Sequence, residues 1–378
     1  MGEFQFREVF NAEVVEYLAT RISGAAAERG TEFDADDFRG RVLATLSTLS
    51  FGDRNNLIIQ ALDDTLVGDF PTRAAVVVAS LGPEPVGEDL SGTDGFYVMP
   101  LAGFVARNGL LAHHLETSLA ALYELTKRFT VEGEIRPFIT AHPERTLAFL
   151  RDLTADPSPF ARRLASEGTR PRLPLAGRLP QFQADPTPVI ELLDRLYNDP
   201  NLMVRRSVAN NINDISKDNP DVAVATLARW QAADAGPQTA WVVRHGLRTL
   251  IKLEHPEALS LLGFPSPNVE VLTASWKPDR LTLGESGTFT VTLRSTTREP
   301  QRLSLNYAIG FVRANGARSR KVFRLRDKTL LPDEPLSITK THVFRNYRNQ
   351  SFYSGVHNLE VTANGVVLFT VEFTLEVP

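Results

Sequence analysis

Apolar residues recur at helical spacing along the first two-thirds of the chain and at alternate positions along the last third. In FNAEVVEYLATRI, Val14, Tyr17, Leu18 and Ile22 fall on one stripe, the spacing of a helix with one buried face. RVLATLSTL (41–49), LIIQALDDTL (57–66), LAGFVARNG (101–109) and HHLETSLAALYELTKRF (113–129) repeat it. PTRAAVVVASLG begins at Pro71, whose fixed φ suits a first helical turn. Residues 82–98, GPEPVGEDLSGTDGFYV, concentrate Gly, Pro and acid and read as a loop. After GFPSPN the period changes to two: VEVLTASW, GTFTVTLRS, LSLNYAIGF, KVFRLRDKTL, LSITKTHVF, HNLEVTA and VVLFTVEFTLEV. Asn315-Gly316, Pro332-Asp333 and Asn364-Gly365 supply turns between these runs. Short strands at this spacing predict an immunoglobulin-like β-sandwich.

From about residue 137 the helical pattern also repeats. Asp156-Pro157 is followed by Ala161-Arg162-Arg163, and Asp199-Pro200 by Val204-Arg205-Arg206, a displacement of 43 residues. Val243-Arg244-His245 lies 39 residues further on. His142-Pro143-Glu144, Asn219-Pro220-Asp221 and His255-Pro256-Glu257 open the second helices alike. Proline presets φ for the first turn, and the acid suits the positive end of the helix dipole. Helix pairs at this period predict a HEAT-like α-solenoid. The expected architecture is mainly α plus β: a HEAT-like helical-repeat domain over 1–264 and a β-sandwich over 268–378.

Composition narrows the chemistry. The chain has 378 residues, no cysteine and a net charge of −4, so disulfides and thiolate metal sites are excluded. No apolar run approaches a membrane span, and MGEFQFREVF lacks the basic and apolar pattern of a secretory signal. The charge is unevenly spread. Residues 1–126 hold 8 Lys/Arg against 19 Asp/Glu, residues 127–252 hold 18 against 14, and residues 267–378 hold 15 against 10. Basic middle and tail segments point to an anionic partner, although ordinary surface variation gives the same count. P-loop, Rossmann, HExxH and GxSxG motifs are missing. His113-His114 is the only histidine pair, and adjacent helical residues face different ways, so no metal site is expected.

Arg162, Arg205 and Arg244 occupy one slot in successive repeats, with Arg206, Arg248 and Lys252 at helical spacing beside them. Such a strip can follow a nucleic-acid backbone through phosphate contacts. It can equally be a set of ion pairs between neighbouring repeats. Arg163, Glu167 and Arg170 stand at i, i+4 and i+7, and Arg206, Asn210 and Asp214 at i, i+4 and i+8. Each helix therefore sets arginine and carboxylate on one face, opposite a stripe of Val204, Val208, Ile212 and Ile215. An ion pair within the helix for Glu167 and a helix cap for Asp214 are the plainer readings. In the β region, RANGARSRKVFRLRDK (313–328) carries seven basic residues, among them Arg318, Arg320 and Lys321. They form either a loop that reaches DNA or the charged guard of an edge strand.

Three stretches, LYELTKRFTVEGEIRPFI (122–139), LASEGTRPRLPLAGRLP (164–180) and MVRRSVANNINDISKDNPD (203–221), closely resemble the bacterial AlkC-type DNA alkylation-repair glycosylases. These belong to the AlkC/AlkD superfamily of HEAT-like repeat proteins. The resemblance covers about residues 5–266, and some members carry a C-terminal immunoglobulin-like domain. It implies removal of cationic N-alkylated bases, 3-methyladenine and 3-methylcytosine, from double-stranded DNA without a deep base-flipping pocket. The implied enzyme is a cytoplasmic monomer that needs no metal, cofactor or membrane. The resemblance places functional carboxylates at Asp214, Glu167 and Glu132, with Asp214 nearest the sugar and attacking water. DNA backbone contacts fall to Arg162, Arg163, Arg205, Arg206, Arg244 and Arg248, with Arg318, Arg320 and Lys321 from the sandwich. Two departures stand out. Leu175 occupies the lesion-proximal position where the family motif has tryptophan, keeping bulk but lacking a π-face for a cationic base. Gly133-Glu134 replaces an aromatic followed by a small residue. Rival readings are a non-catalytic lesion-binding HEAT protein and a protein-interaction scaffold.

Overall fold

Helix starts are written locally by capping side chains. Asn11, Asp34, Ser50, Asp69 and Asn201 each accept a backbone N–H of the first turn that follows, satisfying donors that have no partner inside the helix. Pro143, Pro220 and Pro256 each begin a helix, as the repeat pattern predicts. The structure is a computed structural model and describes residues 6–85, 95–345 and 351–378. Residues 1–5 of the N-terminal stretch, and 86–94 of the loop expected over 82–98, lie outside the described residues.

Sixteen α-helices precede eight β-strands among the described residues. The first eight helices are α1 (Ala12–Glu28), α2 (Ala35–Leu43), α3 (Phe51–Thr65), α4 (Phe70–Ala79), α5 (Val98–Asn108), α6 (Leu115–Thr126), α7 (Arg136–Ala141) and α8 (Pro143–Leu153). The others are α9 (Pro159–Glu167), α10 (Pro180–Ala184), α11 (Thr187–Leu193), α12 (Leu202–Ile215), α13 (Pro220–Ala233), α14 (Pro237–Gly246), α15 (Arg248–Lys252) and α16 (Pro256–Leu261). Two helical expectations shift. The buried stripe of α1 runs through Val15, Leu18, Ala19 and Ile22. Tyr17 is exposed and turns its ring onto Tyr97, since an aromatic body with a polar tip tolerates the surface. The helix expected over 41–49 ends at Leu43, and a separate short turn buries Leu46.

By packing, the chain divides into residues 1–246 and 247–378. In the first unit α6 packs on α9, α9 on α12 and α12 on α14. α8, α11 and α13 back this row. Ala161, Val204 and Val243, the leading residues of the three repeat copies, are all buried, as are Val204, Val208, Ile212 and Ile215. The row therefore aligns the C-terminal ends of α9 and α12, which carry Glu167 and Asp214.

In the second unit the strands are β1 (Val269–Lys277), β2 (Arg280–Thr282), β3 (Ser286–Ser295), β4 (Gln301–Val312), β5 (Arg318–Leu330), β6 (Pro335–Val343), β7 (Gly355–Ala363) and β8 (Val366–Glu376). All seven expected strands are present, and the short β2 is additional. One sheet has the order β1-β3-β6 and the other β2-β8-β7-β4-β5. Trp276, Phe289 and Val291 of the first share a core with Leu305, Tyr307, Val361 and Phe373 of the second. Asn364 and Gly365 both adopt positive φ, 48° and 81°, the conformation a two-residue hairpin demands. The packing division falls earlier than 264–268 because Glu254, following α15, is buried and accepts from Asn306 Nδ2 at 2.9 Å, Arg320 Nη2 at 2.6 Å and the Thr362 hydroxyl. The last two helices thus pack with the strands.

Candidate active site

The C-terminal turns of α9 and α12 and the turn before α7 bring six side chains into a line of alternating charge. Glu132 meets Arg163 at 3.3 Å, and Arg163 stands 3.8 Å from Glu167. Arg170, just beyond α9, donates Nη1 to Glu167 at 2.7 Å and Nε to Asp214 Oδ2 at 2.8 Å, with Nη2 also 2.8 Å from that oxygen. Lys217 closes the line on Asp214 Oδ1 at 2.8 Å. The remaining oxygen of Glu167 accepts from the Ser207 hydroxyl at 2.6 Å. Asn211 fastens α12 to the end of α9 by donating to the Ser166 carbonyl at 2.7 Å. Asp214 caps no helix. α12 ends on Ser216, and Asn219 precedes α13.

Glu167, Arg170 and Asp214 are 6%, 7% and 1% exposed. Burying charge is costly unless every charge is paired, and the alternation meets that condition. Burial weakens the hold of Arg163 and Arg170 on their protons, yet the net shift is upward. Glu132 and Glu167 outweigh burial at Arg163, and Glu167 and Asp214 outweigh it at Arg170. Both guanidiniums remain charged. Among the described residues no three His, Cys, Asp or Glu side chains converge to hold a metal ion.

The basic positions separate by role. Arg162 donates to both carboxylate oxygens of Asp199 at 2.6 and 3.1 Å, and to the carbonyls of Asp156 and Pro157. Arg205 repeats the second arrangement on the carbonyls of Asp199 and Pro200. These two arginines brace their own Asp-Pro turns, and Arg162 also pairs with an acid of the next repeat. Arg206 and Arg244 expose their side chains. Arg248 belongs to the second unit. On edge strand β5, Arg318 pairs with Glu372 at 2.8 Å and Arg320 with Glu254 and Glu360, while Lys321 lies over the Phe323 ring.

Leu175 stands at the tip of the segment between α9 and α10, fully exposed at 103% and with φ of +63°. A non-glycine residue in that conformation costs about 1 kcal/mol or more. The segment is nevertheless tied down. Arg172 pairs with both oxygens of Asp218 at 2.7 and 2.5 Å, and the Leu179 N–H reaches the Pro171 carbonyl at 3.2 Å. Glu134 lines a nearby cleft of about 310 Å³ with Asn55, Asn56 and Arg107. Burial, reinforced by the charge of Glu132, pushes its carboxyl up to about 7.

Sequence spacing missed two members of the line, Lys217 and Ser207, and two side chains on neighbouring elements, Arg136 and Trp241. Lys217, three residues after Asp214, was within reach of a helical-spacing argument. Ser207 and Arg136 meet their partners across 32 to 41 residues, so no local pattern signals them. Trp241 stacks on His245 with ring centroids 4.9 Å apart, and His245 reaches Asn210 at 3.2 Å.

This arrangement sits in a fold with a close match. Over 99% of the chain and 100% of its counterpart, the structure superposes with a TM-score of 0.83 and 33% identity on Pseudomonas fluorescens alkylpurine DNA glycosylase AlkC bound to DNA containing an abasic site analog. The chain belongs to the AlkC family. Its β unit matches the family model described as "Uncharacterised protein YhaZ, C-terminal Ig-like domain" over residues 270–377. The uncharacterized protein YhaZ of Bacillus subtilis (strain 168) is 31% identical over 368 residues, 97% of this AlkC-family chain and 98% of its own. Among the described residues no helix is long and apolar enough to cross a membrane.

Proposed function

We propose that this protein is a DNA glycosylase that hydrolyses the N-glycosidic bond of cationic N-alkylated bases, 3-methyladenine and 3-methylcytosine, in double-stranded DNA. The observation that carries the reading is the buried Glu167–Arg170–Asp214 bridge at the aligned ends of α9 and α12, in a chain that matches an alkylpurine glycosylase throughout its length. The chemistry needs little more. N3-alkylation gives the base a positive charge, so the C1′–N bond breaks with its electron pair leaving on the base, which departs neutral. Positive charge then develops on the deoxyribose.

A fixed carboxylate stabilises that charge, and water adds its oxygen to C1′ while losing a proton to the carboxylate or to solvent. In this reading Asp214 serves the sugar and water. Glu167 and Glu132 hold the cationic nucleotide, Arg170 orients Asp214 and Glu167, and Leu175 packs beside the lesion. Arg206 and Arg244, exposed in the row, grip phosphates. The reaction requires no cofactor, and one chain per lesion suffices.

The test is incubation of the protein, in excess, with N-methylated duplex, followed by alkaline cleavage at abasic sites and chromatography of the freed bases. Release of 3-methyladenine or 3-methylcytosine supports the reading. Intact strands together with tight binding to methylated duplex favour instead a lesion-binding protein, the alternative to which Leu175 in place of an aromatic points. Lack of affinity for DNA even at low salt favours a protein scaffold.

A further inference from the structure

The segment that carries Leu175 is organised by a side chain outside the charged line. Arg136, the first residue of α7, is 5% exposed, and among the described residues no carboxylate lies within ion-pair distance. Its donors go to main-chain carbonyls instead. Nε donates to Gly177 at 3.0 Å, Nη1 to Gly168 at 3.0 Å and to Arg170 at 2.8 Å, and Nη2 again to Gly177. Burial, with Arg170 adding repulsion and the more distant Asp214 only partly offsetting both, lowers its pKa to about 10. A buried guanidinium without a directly paired carboxylate is an unfavourable way to stabilise a fold. It does what an apolar residue cannot, fixing carbonyls nine residues apart with one rigid fork.

Those carbonyls span both halves of the proposed chemistry. The Arg170 carbonyl anchors the backbone of the residue whose side chain bridges Glu167 and Asp214. The Gly177 carbonyl anchors the returning limb behind the exposed, positive-φ Leu175. A Cβ on Gly168, the third acceptor, would lie 2.6 Å from Ile135, so the segment is pressed against the turn that leads into Arg136.

We propose that Arg136 is a positioning residue that sets Leu175 against the DNA and Arg170 against its two carboxylates from a single point. This rests on the glycosylase reading for its functional consequence but not for its structural one. The structural arm compares amide hydrogen exchange of residues 170–179 in the DNA-free protein. Arg136→Lys keeps the charge but cannot reach three carbonyls, and exchange there should rise at least about tenfold. Arg172→Ala, which removes the other tether and leaves Arg136 intact, should raise it by less than about threefold. Unchanged exchange in Arg136→Lys, or mobilisation by Arg172→Ala alone, overturns the proposal. The second comparison still decides it if Arg136→Lys fails to fold.

The functional arm is a double-mutant cycle with Leu175→Gly, read as the single-turnover excision rate. Leu175→Gly should slow excision about tenfold, and Arg136→Lys should cost clearly less in that background than in the native protein, the remainder being its effect through Arg170. Effects that simply multiply mean that Arg136 does not act through Leu175. If the native protein releases no base, the glycosylase reading fails by itself. The cycle is then read as affinity for a duplex containing an abasic-site analogue, where coupling supports positioning and independence overturns it.

Discussion

Replacing Asp214 with asparagine removes one negative charge from the candidate site while keeping its shape. In the native protein Oδ2 accepts from Arg170 Nε at 2.8 Å, with Nη2 equally close, and Oδ1 accepts from Lys217 at 2.8 Å. An asparagine carbonyl turned to Arg170 keeps an acceptor there but aims its own N–H group at the Lys217 ammonium. A hydrogen bond to a charged partner contributes about 1.5–3 kcal/mol and a neutral one about 0.5–1.5 kcal/mol. Arg170 retains Glu167, and Lys217, with 37% of its side chain exposed, turns into water. The net loss is then about 1–3 kcal/mol of stability, a fall of roughly 3–10 °C in melting temperature. Catalysis should suffer more. Losing one group aimed at developing charge costs about 10²–10³ in rate, or about 2.7–4 kcal/mol. The assay is single-turnover release of 3-methyladenine, well below the variant's melting temperature, with affinity for methylated duplex measured in parallel. Affinity should be unchanged or improved while excision collapses. An excision rate within about threefold of the native value refutes the assignment of Asp214.

Other outcomes separate structural from binding roles. Arg206→Ala and Arg244→Ala should each reduce the dependence of log K on log salt by about 0.9, the effect of one lost phosphate contact. Arg162→Ala should lower the melting temperature and leave that slope unchanged, because its donors serve Asp199 and its own turn; an altered slope would make it a phosphate ligand. The folded Glu134 carboxyl holds its proton up to about pH 7, against an ordinary value of 4.5. Its contribution to stability is therefore fully present below pH 4.5, falls as pH rises to about 7 and levels off above. Glu134→Gln should flatten that fall in urea-unfolding midpoints, and an undiminished slope would refute it. His342, which lies 2.9 Å from the Tyr307 hydroxyl, has its pKa lowered to about 4 by burial and by Lys321 and Lys340. Its contribution to the stability of the β unit is fully present above pH 6.5 and lost as pH falls toward 4, so His342→Gln should lose less stability over that range, the buried His357 with its lowered pKa accounting for part of what remains.

Much of the fold is legible because its signals are local. The prolines at 143, 220 and 256 begin helices, the period-two runs become strands, and Asn364-Gly365 makes its turn. β2 is three residues long and leaves no period to detect. Tyr17 entered the stripe of α1 because hydrophobic patterning cannot distinguish a buried ring from one lying on a neighbour's surface. In the candidate site, helical spacing set arginine and carboxylate together in Arg163, Glu167 and Arg170. The pairing of Glu167 with Asp214 through Arg170 depends on how α9 stacks on α12 and has no trace in either segment alone. The Asp-Pro and arginine repeat was visible as a period, but its physical basis was not. Arg162 and Arg205 donate to main-chain carbonyls, and every residue has one of those. Arg136 was hidden for the same reason.

Glu254 bears on how the C-terminal piece can be handled and inherited. The matched Ig-like family model begins at residue 270, after Glu254, yet this carboxylate satisfies Asn306, Arg320 and Thr362 from three different strands. A fragment cut where the β pattern starts would lose that acceptor, leaving the Asn306 amide and the Thr362 hydroxyl without it and Arg320 with Glu360 alone. One beginning at Leu247 would keep its own plug. In recombination between relatives, the exchangeable segment is thus longer than the one the strand pattern marks, and the two short helices before it travel with the strands.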